Sequence, residues 1–324
     1  MQHIEREQGE TMEFQISALA DVHDHSLAVS GWEQVYRQIT PGRFQSTLVQ
    51  ASSNDFHFFR ETTNRRVAQQ GTAPVGQSSL AVPLYAPLVG TFQGQRVDGY
   101  ALLLLGAAEE FRFHTPESMH FVGISLPTDV MDELVSEVVG ESCARQMRQN
   151  VLRLADEQGV MLRERLAPFL DAAERNASAF THPAAAKGFK DELISVLLGL
   201  LDSATGEAHR DLTHTTYSDI VRRCERILQE NTEQPITVLD LCRALRCSRR
   251  TLQTSFQRVA NVTPVEYLRS IRLNAVHRLL RSTSVNELLV GDAAARWGFT
   301  HLGYFAREYR DLFGELPSQT SRLR

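Results

Sequence analysis

The sequence predicts a two-domain α+β chain. An antiparallel β-barrel or sandwich carrying helices comes first, and an all-helical domain with two helix-turn-helix units follows. Three observations predict it. Between residues 42 and 126, short alternating apolar runs are interrupted by Gly, Pro, Asn or Asp about every 10 residues, as in an antiparallel sandwich or barrel. After Pro127 the apolar spacing becomes helical. In the last hundred or so residues two short helix–turn–helix patterns follow one another, joined by one long helical stretch. At 324 residues the chain is too long for one ordinary domain and comfortable for two.

Residues 1–30 are polar and predict irregular structure. Residues 31–39 place Trp32, Val35, Tyr36 and Ile39 at helical spacing and predict a short amphipathic helix. Strands are predicted at 44–49, 56–59, 79–82, 100–105 and 120–124, and the unbroken leucines 102–105 fit a buried strand. Thr128 and Asp129 can cap a helix carrying Val130, Leu134 and Val138, and further helices are predicted at 145–154, 160–180 and 185–201. Residues 202–216 are small and polar, the composition of a linker. The predicted domains are therefore 1–201 (barrel about 42–126, helices about 128–201) and 217–324.

The formal net charge of −5 conceals an asymmetry. From Ser218 onward there are 17 Arg, no Lys and 11 Asp plus Glu, a net +6, which leaves −11 on the remainder. A basic, all-arginine third beside an acidic body is the charge distribution of a phosphate-binding module attached to a domain that does not bind phosphate. No apolar stretch approaches the roughly 20 residues of a membrane span. Glu5, Glu7 and Glu10 at the start, with no basic-then-apolar pattern, argue against a secretory signal. Four cysteines (Cys143, Cys224, Cys242, Cys247) in a chain of this length read as reduced thiols, so a cytoplasmic protein is expected.

Within the basic third, Ile220, Cys224, Ile227 and Leu228 mark one amphipathic helix. Thr237 with Asp240 forms a capping-box pattern for the next, and Ser248 can cap the helix after it. On that helix Leu252, Phe256 and Val259 face inward, leaving Arg249, Arg250, Gln253, Thr254 and Gln257 outward, and these together with Ser248 are the residues expected to contact DNA. Arg and Gln reach guanine and adenine edges with paired hydrogen bonds, at about 1–3 kcal/mol of discrimination each. Thr263, Pro264 and Glu266 start a long helix of roughly 18 residues, about 27 Å, which suits two groove insertions one DNA turn apart. In the second unit Gly298 makes the turn and Tyr304, Phe305, Tyr309 and Phe313 are expected inward, leaving His301, Leu302, Gly303 and Arg307 toward DNA. Double-stranded DNA is the predicted partner, with phosphate clamping as the alternative role of each arginine.

Several residue patterns carry a resemblance. Ser248–Arg249–Arg250–Thr251–Leu252–Gln253, Ile271–Arg272–Leu273 with Ala275, Ala294 with Trp297–Gly298–Phe299, Phe305 with Tyr309, and Phe313–Gly314 before Pro317–Ser318 resemble the DNA-binding domain of AraC/XylS-family transcriptional regulators. The resemblance covers about a third of the chain. Residues 238–242, 271–276 and 301–303 look most like the ethanolamine-utilisation regulator subgroup, which includes virulence and cell-density regulators. The resemblance implies a homeodomain-like double helix-turn-helix fold entering two successive major grooves. It also implies a cupin-like β-barrel with dimerisation helices, hence a homodimer. The activity implied is activation of transcription, with RNA polymerase as a possible partner. His301 stands where Ser or Asp often caps, and Leu302 and Gly303 where polar base readers often sit, so the second unit is expected to supply affinity more than discrimination.

No cofactor, metal or catalytic residue is predicted. A barrel mouth is the default pocket for a small-molecule effector, and Phe56, Phe58, Tyr85, Phe92 and Tyr100 are the aromatics that could line it. The alternative is a ligand-independent regulator controlled by dimerisation, through helix 160–180 or 185–201, or by a partner. A more distant alternative is a cupin-type metal enzyme, for which His23 with His25, then His57, His114 and His120, are the possible ligands. They lack the converging third and fourth partners that a metal centre needs. Cys242 and Cys247 lack a second pair and read as buried packing.

Overall fold

Strand β9 (Ala101–Leu105) explains the layering of the N-terminal domain. All five of its side chains are buried, because Leu102 and Leu104 enter one core while Ala101, Leu103 and Leu105 enter another. A strand buried on both faces has no need to alternate polar with apolar. The computed structural model describes residues 11–85, 88–139, 149–204, 212–230, 236–299 and 301–323. Two antiparallel sheets, in strand order β1-β3-β4-β11-β6-β9-β12 and β2-β5-β10-β7-β8, face each other across Leu48, Phe59, Phe92, Phe111, Phe113 and Phe121. The seven-stranded sheet turns its other face to helices α2 (Thr128–Val139), α3 (Asp156–Arg175) and α4 (Pro183–Ser203).

The remaining strands are β1 (Glu13–Leu19), β2 (Glu33–Gln38), β3 (Ser46–Ser52), β4 (His57–Thr63), β5 (Val67–Thr72), β6 (Gln77–Pro83), β7 (Leu88–Phe92), β8 (Gln95–Gly99), β10 (Glu110–His114), β11 (Met119–Pro127) and β12 (Val151–Arg153). Several sequence expectations are corrected here. Residues 31–39 form a strand, β2, rather than a helix: Tyr36 points inward to Glu61 while the β2 backbone pairs with β5, and the helical spacing of the four apolar residues is incidental. The span 1–30 is not wholly irregular, for it holds β1 and a helix α1 (Val22–Ala28) that Asp21 caps by accepting from the His23 and Asp24 amides. The sheets therefore begin well before residue 42.

The predicted helix at 145–154 lies partly outside the described residues, and its described end is β12, an edge strand on β9. Helix α3 stops at Arg175, and residues 177–181 continue as a 3-10 turn. Of the predicted linker, residues 212–216 already belong to helix α5 (Leu212–Glu230), and residues 205–211 are outside the described set.

The C-terminal domain is all helical: α5, α6 (Val238–Leu245), α7 (Arg249–Val259), α8 (Pro264–Arg281), α9 (Val290–Arg296) and α10 (Leu302–Phe313). It has two separate cores. One gathers Val221, Leu241, Leu252, Phe256 and Tyr267, the other Val276, Ala293, Phe305, Tyr309 and Phe313. Helix α8 contributes to both, Tyr267 and Leu268 to the first, Leu273, Val276 and Leu280 to the second.

Candidate nucleic-acid interface

The first helix-turn-helix unit is built by its caps. Thr237 and Asp240 exchange hydrogen bonds at the start of α6, and Arg246 ends that helix at φ 51°. Across this left-handed residue the Cys247 amide donates to the Cys242 carbonyl at 3.1 Å, the six-to-one bond of a Schellman ending. Ser248 then starts α7, its hydroxyl accepting from the Thr251 amide at 3.0 Å. That bond commits Ser248 to the helix end. Buried Leu252, Ser255, Phe256 and Val259 fix which side of α7 faces in. Arg249, Arg250, Gln253 and Gln257 are exposed together on the other side, with Thr254 half-buried beside them. Gln257 donates to Asn261 at 2.9 Å, which tethers its amide at the far end of the helix.

The second unit turns at Gly298, φ 77°, and presents α10. His301 occupies the N-cap position without a side-chain cap bond. His301, Leu302, Gly303 and Arg307 are all exposed. A Cβ added at Gly303 would meet nothing within 4 Å, so no packing demand explains a glycine there. One expectation is corrected: Tyr304 was expected inward and is 72% exposed. The inward positions on α10 are Phe305, Tyr309, Leu312 and Phe313, and Tyr304 lies away from them, exposed to solvent. The helical spacing from Phe305 to Tyr309, Leu312 and Phe313 was the signal that could have placed it. Arg307 lies 4.0 Å from the exposed Asp311, a loose surface pair.

The expected pocket aromatics do not line a common pocket. Phe56, Phe58 and Tyr100 pack in the core between the seven-stranded sheet and the helices, where the Tyr100 ring lies against Gly159 so closely that no Cβ would fit. Tyr85 is half-buried at the edge and accepts from Arg60 at 2.7 Å. Only Phe92 of the five lines the space between the sheets, with Trp32, Phe59, Phe111, Phe113 and Phe121. Strand parity is the cause: Phe58 and Phe59 are neighbours in sequence and face opposite cores. That inter-sheet cavity is about 50 Å³. A larger cleft, about 850 Å³, lies between the five-stranded sheet and α5, lined by Gln34, Gln70, Arg112, Ser218 and Glu225 among others.

Three of the histidines considered as metal ligands are engaged separately. His25 Nδ1 is 2.7 Å from Ser46 Oγ, His57 is 3.2 Å from Gln50 Oε1, and His114 is 3.0 Å from the Tyr267 hydroxyl. Burial pushes His57 down to about 4. Among the described residues no group of three His, Cys, Asp or Glu is placed to hold a metal ion. Burial also pushes the Cys224 thiol up to about 12, in keeping with a packing role. No helix of the described residues is long and apolar enough to cross a membrane.

Residues 241–323 match the family model described as a helix-turn-helix domain. The chain is 36% identical over 101 residues to XylDLEGF operon transcriptional activator 2 of Pseudomonas putida, covering 31% of this chain and 64% of that one. It is 34% identical over 168 residues to a probable thc operon regulatory protein of Rhodococcus erythropolis, 51% of this chain and 48% of that one. The chain thus spans about half to two thirds of these relatives' length. A solved structure of a probable AraC family transcriptional regulator from Rhodopseudomonas palustris is 36% identical, over 32% of this chain and 99% of that chain, with a TM-score of 0.28.

Proposed function

From the premise that the C-terminal third is a helix-turn-helix domain of the AraC/XylS kind, we propose that the whole chain is a sequence-specific DNA-binding regulator of transcription, acting as an activator. Helix α7 enters one major groove and α10 the next. The observation that carries this is the exposed Arg249, Arg250, Gln253 and Gln257 face of α7, braced from behind by Leu252 and Phe256. Arg250 and Gln253 are the principal base readers. Arg307 and His301 contact phosphate or base at the second groove. Leu302 offers a thymine methyl at most. Replacing Arg250 and Gln253 by Ala abolishes selectivity and leaves salt-sensitive binding. Equal loss on specific and random DNA, in titrations at several salt concentrations, would reassign both to phosphate.

A homodimer through α3 or α4 is part of this reading, as is contact with RNA polymerase, and sedimentation of the full chain tests the first. The place of action is the cytoplasm. The ethanolamine-utilisation subgroup rests on residues 238–242, 271–276 and 301–303 alone. For the effector, two readings remain with an observation each. The inter-sheet cavity, at about 50 Å³, is far below the several hundred Å³ of usual ligand sites, which favours regulation without a barrel ligand. The interdomain cleft, at about 850 Å³, has the room, and a small molecule there would touch both domains. Thermal-shift screening of the full chain separates them, because Gln70→Trp fills the cleft and leaves the inter-sheet space alone.

A further inference from the structure

The N-terminal domain grips the two helix-turn-helix units in different ways. At the first unit the grip is partly apolar: Ile39 and Ala68 belong to the same core as Val221, Leu252 and Phe256. Arg112 adds a 2.7 Å bond to Glu225 of α5, and Tyr267 donates to the same carboxylate. At the second unit no N-terminal side chain enters the apolar core among the described residues, and the hold runs through hydrogen bonds and ion pairs. His277 Nε2 is 2.6 Å from Asp21, and Arg281 bonds both Asp21, at 3.3 Å, and Asp24. Asn274 exchanges two bonds with the Gln38 backbone, 3.0 and 2.9 Å, and the Gln38 side-chain Nε2 donates to the Leu312 carbonyl at the end of α10. The Gly42 amide donates to the Asp311 carbonyl at 2.8 Å.

We infer that this polar contact is a latch that positions the second helix-turn-helix unit for DNA, and that the docked arrangement is the DNA-competent one. The inference rests on the DNA-reading function proposed above. Docking covers neither reading face: Arg249, Arg250, Gln253 and Gln257 on α7, and His301, Leu302, Gly303 and Arg307 around α10, are all exposed while the latch is closed. A contact whose task was to block DNA by occlusion would bury some of them. Among the described residues the two C-terminal cores share α8 alone, so the disposition of α10 relative to α7 depends on that helix and on whatever fastens its second half. Asp21, Asp24, Gln38, Asn274, His277 and Arg281 supply that fastening and are positioning residues for recognition. Two linked binding heads gain avidity only when geometry lets both engage, so a loosened second head costs affinity for a two-box site and none for a one-box site.

The test uses the full chain and a DNA fragment selected by the wild type from a random library, intact or with one box scrambled. Arg281→Gln is expected to weaken binding to the intact fragment about tenfold and to leave binding to the fragment retaining only the first box unchanged. Arg281→Lys should restore most of the loss, since it keeps the charge facing Asp21 and Asp24. Hydrogen exchange supplies a readout without DNA: residues 302–313 should lose about tenfold protection in Arg281→Gln while 249–259 keep theirs. Equal or tighter binding of the intact fragment by Arg281→Gln overturns the inference, as does joint loss of protection in both helices. If the wild type selects no DNA, the proposed function fails, and the exchange comparison still decides whether the latch holds the second unit alone.

Discussion

The two helix-turn-helix units share a layout and differ in chemistry on both sides. The first presents Arg249, Arg250 and Gln253 outward and shares an apolar core with Ile39 and Ala68 of the neighbouring domain. The second presents Leu302, Gly303 and Tyr304 and is fastened by carboxylates, an amide, an imidazole and a guanidinium. Apolar contact is not screened by salt, whereas ionic contact at partly exposed groups is. On the proposed function, the first head is thus held in part by contacts that salt does not screen, and the second by contacts that it does.

The sharpest way to break the comparison is to empty each core. Phe256→Ala should cost about 3–5 kcal/mol and, because its core continues into the N-terminal domain, lower the main unfolding transition seen by calorimetry. Phe305→Ala should cost a similar amount but detach as a separate, earlier transition, because its core stays within the second unit. A single shared transition in both variants would erase the distinction.

Acid should act next. Burial pushes the Glu225 carboxyl up, but bonds and charge from His114, Tyr267 and Arg112 more than offset it and leave the group at about 2. Asp21 is likewise raised by burial and brought down to about 2 by His277 and Arg281. Both are depressed in the folded state, so their stabilisation is complete above the ordinary carboxylate range and is lost as pH falls from about 4.5 toward 2. Glu225→Gln should flatten that acid limb, by an amount on the order of 3 kcal/mol, in denaturant titrations at stepped pH. An unchanged limb would show that the carboxylate is not held down.

Reading-face substitutions are smaller. Arg250→Ala and Gln253→Ala should each remove about 1–3 kcal/mol of discrimination, measured as the ratio of specific to random-sequence affinity. On α10, Arg307→Ala should weaken binding more than Leu302→Ala does. The reverse order in a mobility-shift series would mean that the second head reads bases through apolar contact. Smallest of all, Thr237→Ala should cost about 1 kcal/mol through its cap, with no change in DNA discrimination.

The C-terminal domain was legible because local chemistry defines it. Thr237, Ser248 and Thr263 each cap the helix the sequence assigned to them, and the inward faces of α7 and α8 follow from apolar spacing. The N-terminal domain was legible in class and blurred in detail. Trp32, Val35, Tyr36 and Ile39 have helical spacing, yet pairing with β5, far along the chain, makes that segment a strand. Phe58 and Phe59 could not be told apart because a double-faced core buries both. The polar grip between domains left no local pattern at all: Asp21 and His277 are 256 residues apart.

The stripe on α8 has one more consequence. Asn274, His277 and Arg281 are groups that water solvates as readily as a protein partner does, whereas a leucine stripe in the same place would be sticky once bared. A gene fusion that joined this helical module to a different domain would expose no greasy seam along the second half of α8. Parting from the neighbouring domain is thus chemically cheap along this half of α8, whereas at the first unit it would bare the apolar core that takes in Ile39 and Ala68.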